Sequence, residues 1–412
     1  MKKFVTSAAL CATTLLAVNT ASAATATERE ILKKLEFLQN KIAAQQERIT
    51  YLEDKVGKND KNASSDSSVI TLANKAIDQL KIKSDLRVRY ERRDHDEPQG
   101  EDEGRDRWRT RFRLGGVWKN KAEKWEVGAG LATGGSSATS TNATWSENEF
   151  FETSDIRLDY AYAKHKWKDF SITLGQQKDP FAKSWIYLDS DVRPAGLTLH
   201  YGQKQGVFIT AGSYALRYYK AGNDANTAML WHGQTGWKGK AGKVSYTVAG
   251  GYQVYDGVFS NHEAPNPDYD YEIADLYATA SVLAGIAKLS FYGHIWTNLG
   301  ADGNDGQGVL GSTLNPEDED MGWILGMKAK MGPVKLSYAY AVVEADSLYG
   351  DLKDQDFGDG LSDTDVKGHK LGASYSFTKN FSTGVTAQFY EANERSDEED
   401  VDLYQLDFKY KF

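Results

Sequence analysis

The chain has 412 residues, a formal net charge of −9 and a mean hydropathy of −0.57, so we expect no nucleic-acid partner for it. After residue 23, no segment approaches the roughly 18 consecutive apolar residues of a membrane-spanning helix. This polarity fits a soluble periplasmic enzyme. It fits a transmembrane β-barrel better, because only alternate residues of a barrel strand face lipid.

Residues 1–23 have the three parts of a secretory signal peptide: two lysines at the start, an apolar stretch over 4–18 and an A-S-A cleavage site at 21–23. The single cysteine, Cys11, follows Leu10 rather than a small residue, which argues against a lipid-modified cysteine. Cleavage removes that cysteine and so excludes disulfides and thiolate chemistry. It also removes two lysines and no acidic residue, which changes the formal charge from −9 to −11.

Residues 24–56 are predicted to form a periplasmic coiled coil, because apolar residues recur at heptad spacing from residue 28 onward. The a positions hold Leu35, Ile42, Ile49 and Val56, and the d positions hold Ile31, Leu38, Gln45 and Leu52. β-Branched residues at a with Leu at d favour two strands. The pattern is short and Gln45 interrupts it, so three strands stay open, as does an amphipathic helix lying on the chain's own barrel.

Residues 57–80 are predicted to connect this segment to a barrel. The polar sequence at 57–68 is a flexible linker, and residues 69–80 are predicted as one more short helix.

Residues 81–412 are predicted to form an antiparallel β-barrel of about sixteen strands. Apolar and polar residues alternate along this region, which gives each strand one lipid face and one polar face. In the fourth strand, Ile156, Leu158, Tyr160 and Tyr162 are assigned to the lipid face. An even number of strands is what single-chain bacterial barrels require.

The connections between predicted strands alternate in length and differ in charge. Short ones, such as 119–121 and 164–166, carry lysines. Long ones are acidic: 94–105 holds six carboxylates, 298–321 holds six and 344–366 holds eight. Short periplasmic turns and long external loops are typical of outer-membrane barrels, whereas a β-sandwich has no reason to sort its connections in this way.

The acidic loops are predicted to be solvated rather than to bind a metal ion. The sequence D-G-N-D-G at 302–306 lacks the spacing and the closing glutamate of an EF-hand. No His/Asp cluster has metal-ligand spacing either, so we predict no metal and no cofactor.

Several motifs resemble those of a known family. They are D-L-R-V-R-Y-E at 85–91, R-W-R-T-R-F-R at 107–113, L-A-T-G at 131–134, L-D-Y-A-Y at 158–162, L-G-Q-Q at 174–177 with P-F at 180–181, and D-S-D at 189–191 before P-A-G-L at 194–197. Together with the signal peptide and the coiled coil, they make the chain resemble the putative porin family of Gram-negative outer membranes, most strongly over 81–201. The resemblance implies an outer-membrane pore, commonly trimeric, and does not fix a solute.

Alternation places a group of charged residues on the polar face of the first strands, where they would line the pore. They are Arg87, Arg89, Arg107, Arg109, Arg111, Arg113, Asp155, Arg157 and Asp159. The six residues from Arg87 to Arg113 form what we call the arginine ladder. Packed cations raise the local anion concentration in a narrow aqueous pore. Alternatively, Asp85, Glu91 and Glu126 on the same face tie the ladder into a wall network; the two interpretations are compatible.

Residues 176–195 form the third external loop if the first strand runs outward. Its charged residues are Lys178, Asp179, Lys183, Asp189, Asp191 and Arg193, beside Phe181, Trp185 and Tyr187. Because the loop is too aromatic for a purely solvated segment, we predict that it folds into the lumen as a constriction. Packing against a neighbouring protomer is the alternative.

The chain ends on an alternating aromatic strand whose lipid face is predicted to be the assembly signal that barrel-insertion machinery reads. That face consists of Tyr404, Leu406, Phe408, Tyr410 and Phe412. The other expected partners are outer-membrane lipid, lipopolysaccharide and further copies of this chain, with a trimer favoured.

Three function classes follow from this pattern. The first is a porin for passive diffusion of small hydrophilic solutes or ions, mildly favouring anions. The second is a barrel sheath around an electron-transfer partner; the chain itself has no C-x-x-C-H haem motif. The third and weakest is an outer-membrane enzyme, because seven scattered histidines accompany no nucleophile motif.

Overall fold

The computed structural model describes residues 68–70, 79–96, 103–221, 224–257, 271–301, 309, 315–361, 363–395 and 399–412, together with six residues between Phe37 and Glu47. The chain divides into two compact units, Met1–Ser64 and Ser65–Phe412. In the first unit, the six described residues are helical and exposed. The signal peptide and every predicted a and d residue except Gln45 lie outside the described residues, so the coiled coil stays a prediction.

The second unit is a single antiparallel sheet. Its first nine strands are β1 (Ser68–Ile70), β2 (Gln79–Asp96), β3 (Glu103–Asn120), β4 (Trp125–Thr133), β5 (Ala143–Thr144), β6 (Ile156–Trp167), β7 (Phe170–Gln176), β8 (Ala195–Gly202) and β9 (Gly206–Ala221). The others are β10 (Asp224–Ala241), β11 (Val244–Asp256), β12 (Tyr271–Ala284), β13 (Ala287–Asn298), β14 (Met321–Met331), β15 (Val334–Val343), β16 (Val366–Ser376), β17 (Phe381–Ala392) and β18 (Asp400–Lys411). Two 3₁₀ turns, Pro316–Asp318 and Gly350–Leu352, lie in loops.

Sixteen of these strands close a ring, as the sequence predicts. Each strand pairs with its neighbour in chain order, and β18 returns to pair with β2, with Leu406 opposite Tyr90. The two strands outside the ring are short. β5 pairs with β3 beyond the end of β4, and β1 pairs with β2. Closure matters because a lipid-exposed sheet edge would leave backbone N–H and C=O groups without partners.

Alternation along each strand separates the two surfaces of the barrel. On β2, Arg87 and Arg89 are buried, whereas Leu86 is exposed on the outer face. On β18, Asp407 is buried and Phe408 is exposed. The inner surface is therefore polar. It also carries buried apolar residues such as Tyr214, Ile273 and Ile324, against which the inward-folded loops pack.

The two ends of the barrel differ as predicted, with one exception. At one end, which we call the turn end, neighbouring strands are joined by tight turns such as residues 242–243. At the other, the loop end, long connections include loop 2 (residues 134–155), loop 3 (residues 177–194) and loop 7 (residues 344–365). The exception is the fourth connection at the loop end, which spans only residues 222–223.

The predicted short helix over 69–80 is wrong at both its ends. Residues 68–70 form β1 and β2 begins at Gln79, while 71–78 lie outside the described residues. β1 pairs with the part of β2 around Ile82, next to the point where Ser84 exchanges backbone hydrogen bonds of 3.1 Å with Phe412. β18 pairs with β2 only as far as Ser84. β1 supplies a backbone partner for the edge of β2 beyond that point, which favours a strand over a helix at residues 68–70.

The assignment of Tyr160 and Tyr162 to the lipid face is also wrong. A β-bulge lies opposite Gly130 and Leu131, and it reverses the alternation of β6 after Leu158. The two tyrosines turn into the lumen, where the Tyr162 hydroxyl donates to Glu126 at 2.8 Å. A Cβ on Gly130 would lie 2.3 Å from the Tyr160 ring, so only glycine leaves room there.

Among the described residues, no helix is both long enough and apolar enough to cross a membrane.

Deleting Phe412 should lower the amount of folded barrel in the outer membrane. The deletion removes both backbone hydrogen bonds to Ser84 and the ring that lies 6.4 Å from Phe112, centroid to centroid. The measurement is the heat-modifiable band of outer-membrane fractions on gels. Phe412→Tyr, which keeps the ring and the backbone, is the control, and equal abundance of the deletion variant would contradict this role.

Candidate pore constriction

The arginine ladder lies on the inner surface of β2 and β3. The register of the two strands places Arg87 opposite Arg111 and Arg89 opposite Arg109. Like charges directly across an antiparallel pair repel each other. The arrangement therefore depends on carboxylates that lie between the guanidinium groups.

Glu91 is one of these carboxylates, and it is almost fully buried. It accepts a hydrogen bond from Arg107 and lies 3.6 Å from Arg89, 3.5 Å from Arg105 and 3.8 Å from Arg109. One carboxylate thus holds a group of guanidiniums from two strands. A buried charge needs such partners, because its desolvation is otherwise costly.

Asp85 and Asp407 neutralise the rest of the ladder. Asp85 accepts from Arg111 at 3.0 Å and from Arg113 at 2.9 Å. Asp407, on β18, accepts from Arg89 at 2.8 Å. The alternation of the last strand indicates an inward Asp407, although this residue is not among the predicted pore residues.

Loop 7 is the main departure from the sequence analysis, which predicts it as a solvated acidic loop. Its Ser347 and Phe357 have no exposed surface. Its Asp356 lies 3.1 Å from Arg89, and its Asp359 lies 3.2 Å from Arg93. The acidic residues of the loop are therefore partners for the wall arginines. The apolar residues Leu348, Leu352 and Phe357 were the available signal.

Loop 3 also lies inside the barrel, where Asp191 reaches the ladder. Asp191 lies 3.4 Å from Arg113 and accepts from the Thr141 hydroxyl of loop 2 at 2.8 Å. Arg193 pairs with Asp159 of β6 at 2.9 Å. Loop 3 thereby connects the ladder wall to loop 2.

Two other charged residues of loop 3 serve the loop itself. Lys183 pairs with Asp179 at 3.0 Å and donates to the Leu188 carbonyl at 2.7 Å. Lys178 instead points toward the turn end, where it lines a second cavity.

The opposite wall anchors loop 3 through two histidines. The ring of Phe181 stacks on His232 with centroids 3.4 Å apart. The Ser184 hydroxyl lies 3.0 Å from His294 Nδ1, and His294 Nε2 lies 3.1 Å from Asp275. This Ser–His–Asp set escaped the sequence analysis because its members are scattered along the chain.

The Ser184 hydroxyl is not placed as a nucleophile. Ser184 is 3% exposed, and the cavities found among the described residues do not reach it. Attack on a substrate needs an accessible hydroxyl. The hydrogen bonds of this set instead fix the position of loop 3.

Loops 3 and 7 pack on each other across the lumen. The Asp189 N–H donates to the Leu352 carbonyl at 2.8 Å, and the Trp185 and Phe357 rings lie 5.6 Å apart. Full burial of a side chain such as Phe357 contributes about 1.5–3 kcal/mol. The two loops therefore form one inward-folded body rather than two independent lids.

A cavity of about 530 Å³ remains between this body and the ladder. The cations that line it are Arg87, Arg89, Arg107, Arg109, Arg111, Lys370 and Lys409. The carboxylates that line it are Asp189, Asp191, Asp354, Asp356, Asp359, Asp363 and Asp407. Seven of each sign leave the cavity formally neutral. Because cations dominate one side and the carboxylates of the loops the other, the field runs across the pore.

The loop carboxylates do not all carry full charge. Burial raises the pKa of Asp189 to about 8, and the neighbouring Asp354 carboxylate adds to the effect. Burial also acts to raise the pKa of Asp191, but the Thr141 hydrogen bond and the arginine charges hold it below its usual range. Burial lowers the pKa of Lys353 to about 8.

The remaining predicted pore residues lie near loop 2. Arg157 donates to the Ser137 carbonyl at 2.5 Å and to the Ser140 carbonyl at 2.7 Å, so it supports that loop. Asp155 is exposed at the end of the loop. Over the described parts of the chain, no group of three or more His, Cys, Asp or Glu residues could hold a metal ion.

A closed sixteen-strand barrel with inward-folded loops and opposed charges in its lumen defines an outer-membrane channel. The chain belongs to the family described as "Putative porin", whose model matches residues 47–281, more than half of the chain. The family and the fold point to a channel in the outer membrane of a Gram-negative bacterium.

Among solved structures, OprB of Pseudomonas putida matches with a TM-score of 0.56 and 12% identity, over 81% of this chain and 94% of that one. OmpF of Salmonella typhi, in a complex with daunomycin, matches with a TM-score of 0.49 and 14% identity, over 83% of this chain and 100% of that one. The likeness to OprB supports the fold and nothing further. No curated protein matches the chain.

The anion preference of the pore should fall as pH rises through about 8, because Asp189 then gains a negative charge in the cavity. The measurement is the reversal potential in a KCl gradient at about pH 6 and about pH 9. In Asp189→Asn the change should shrink, leaving the part that comes from Lys353. An equal pH response in wild type and variant would contradict the role of Asp189.

Proposed function

We propose that the protein is a porin for passive diffusion of small hydrophilic solutes and ions, with a mild preference for anions at its constriction. The observation that supports this most directly is the cavity of about 530 Å³ between the ladder and the inward-folded loops. It is lined mainly by charged and polar groups. Such a lining replaces the hydration of a polar solute and disfavours an apolar one.

The preference for anions rests on the protonation of Asp189. The cavity is formally neutral when all its carboxylates are ionised. Burial and the neighbouring Asp354 carboxylate raise the pKa of Asp189 to about 8, so these two carboxylates together carry less than two negative charges at pH 7, and the cations of the cavity outnumber its charged carboxylates. The net negative charge of the whole chain would by itself favour cations. It resides largely in the acidic outer loops, where salt screens charges beyond about 8 Å.

The two other function classes find less support. A sheath needs an open lumen for a partner protein, whereas loops 3 and 7 occupy it with buried side chains such as Ile186 and Phe357. An enzyme needs an accessible reactive group, and Ser184 is buried. Diffusion of small solutes is the activity that fits the remaining space.

Replacing both Arg109 and Arg111 with Gln should shift the reversal potential in a KCl gradient toward cation selectivity. The permeability ratio should change by about twofold or more, since one unit charge at 4 Å contributes about 1 kcal/mol even in water. Gln rather than Glu is used because a new carboxylate at 111 would face Asp85.

The control for that double variant is Arg92→Gln, which removes a charge from the exposed outer face of β2. Heat-modifiable mobility shows whether each barrel folds. A double variant that fails to fold, or that folds with unchanged selectivity, would mean that the ladder only holds the wall together.

We further propose that the protein works as a trimer, with its loop end facing outward among lipopolysaccharide and the segment 24–56 in the periplasm as a coiled coil. The support is the heptad pattern in the sequence and the length difference between the two barrel ends. The aromatic terminal strand supports a further part of the proposal, that the barrel-assembly machinery inserts the chain into the membrane.

Placing Asp at both Ile42 and Ile49 should dissociate or loosen the oligomer while each barrel stays folded. The substitutions bury charges in a predicted apolar seam, whereas the barrel closes its hydrogen bonds within one chain. Cross-linking and size-exclusion chromatography in detergent measure the state. Lys41→Asp, at an exposed position of the same segment, is the control. An unchanged oligomer would show that the barrels themselves associate.

A further inference from the structure

Lysines surround a second cavity, of about 610 Å³, on the turn side of loop 3. Its cationic lining consists of Lys81, Lys83, Lys119, Lys164, Lys178 and Lys238. They come from β2, β3, β6, β10 and loop 3, which the fold brings together across the inner surface. His200, Tyr160 and Tyr162 add polar groups to the same lining. We call this cavity the lysine vestibule.

Among the described residues, most of these lysines form no ion pair within 4.0 Å. Glu126 is the one carboxylate that the described residues contribute to the lining, and it is engaged by Lys119 at 2.7 Å and by Tyr162 at 2.8 Å. The other five lysines have no carboxylate within 4.0 Å among the described residues. The ladder is different, because its arginines are matched by carboxylates of the wall and of the loops.

A smaller cavity of about 400 Å³ at the same end repeats the arrangement on the far wall. Its lysines are Lys288, Lys328, Lys330, Lys335 and Lys409, against the single carboxylate Asp407. The uncompensated positive charge of the lumen therefore lies on the turn side of the constriction. The acidic residues are concentrated toward the loop end.

Concentrating unpaired cations destabilises a protein through self-repulsion, so a purely structural role would favour paired charges. Lysine is also a residue type that is well suited to binding a mobile anion. Its ammonium is a compact charge on a flexible stem, which can follow a moving anion without fixing one geometry. The vestibule is enclosed by the barrel, so a soluble ion rather than a lipid headgroup is the species that reaches it.

We propose that the lysine vestibule is a binding site for small oxyanions that carry two or more negative charges, such as phosphates and di- or tricarboxylates. The inference rests on the proposed porin function and names its solute class. Attraction scales with the product of the charges, so several ammonium groups favour a multivalent anion over chloride. The anion crosses the constriction, which mildly favours anions, and is then held by the lysines.

The test is inhibition of chloride current by pyrophosphate in planar bilayers, comparing wild type with two triple variants. Lys83→Gln, Lys164→Gln and Lys238→Gln together remove vestibule charges. Lys204→Gln, Lys243→Gln and Lys379→Gln together remove the same number of charges from exposed turns at the same end. Heat-modifiable mobility and KCl conductance verify that each variant forms a channel.

In wild type, pyrophosphate should reduce the chloride current. The half-blocking concentration should rise by about tenfold or more in the vestibule variant and stay unchanged in the turn variant. If wild type conducts KCl but pyrophosphate has no effect, or acts equally on both variants, the vestibule is not a site for multivalent anions. The protein would still be a channel in that case. If wild type conducts no ions at all, the porin function itself fails.

Discussion

The closure of β18 onto β2 is the constraint on which the rest of the structure depends. In lipid, every backbone N–H and C=O must find a partner within the protein, so the sheet cannot end in a free edge. Sixteen strands satisfy this requirement, and the contact of Phe412 with Ser84 completes the seam. Once the ring is closed, every second side chain must point into the lumen. The polar residues of each strand are thus directed inward by the same rule that directs its apolar residues toward lipid.

Directing so many arginines inward creates the problem that the loops solve. Arg89 and Arg109 face each other across β2 and β3. The single negative charge of Glu91 cannot neutralise all the guanidinium groups around it. Loop 7 brings Asp356 and Asp359 to the same wall, and loop 3 brings Asp191. The loops are held in the lumen partly by these ion pairs and partly by apolar packing with each other. The same loop contacts therefore narrow the pore and neutralise its wall.

The resulting channel separates three electrostatic zones along its axis. Acidic sequences connect the strands at the loop end, a formally neutral constriction carries a transverse field, and lysines line the cavity on the turn side of that constriction. Total charge describes none of these zones. Asp189 shows how finely the middle zone is balanced, since one carboxyl with a pKa of about 8 decides whether the cavity is neutral or positive at a given pH. The histidine anchors at His232 and His294 hold loop 3 in the position that maintains this balance.

The sequence alone determined what depends on local periodicity. Alternation from residue 81 onward fixed the strands, their number, and the inward direction of Arg109 and Arg111, because the side-chain period of a strand is two wherever it lies. It failed at Tyr160, where a bulge reverses the faces, and at residues 69–70, where a strand edge needed a partner. Only the tertiary structure decided the constriction itself. Asp356 and Arg89 are distant in the chain, and Ser184 meets His294 and Asp275 only because loop 3 crosses the lumen. Loops have no periodicity, so their placement follows from the charges and apolar surfaces that the closed barrel presents to them.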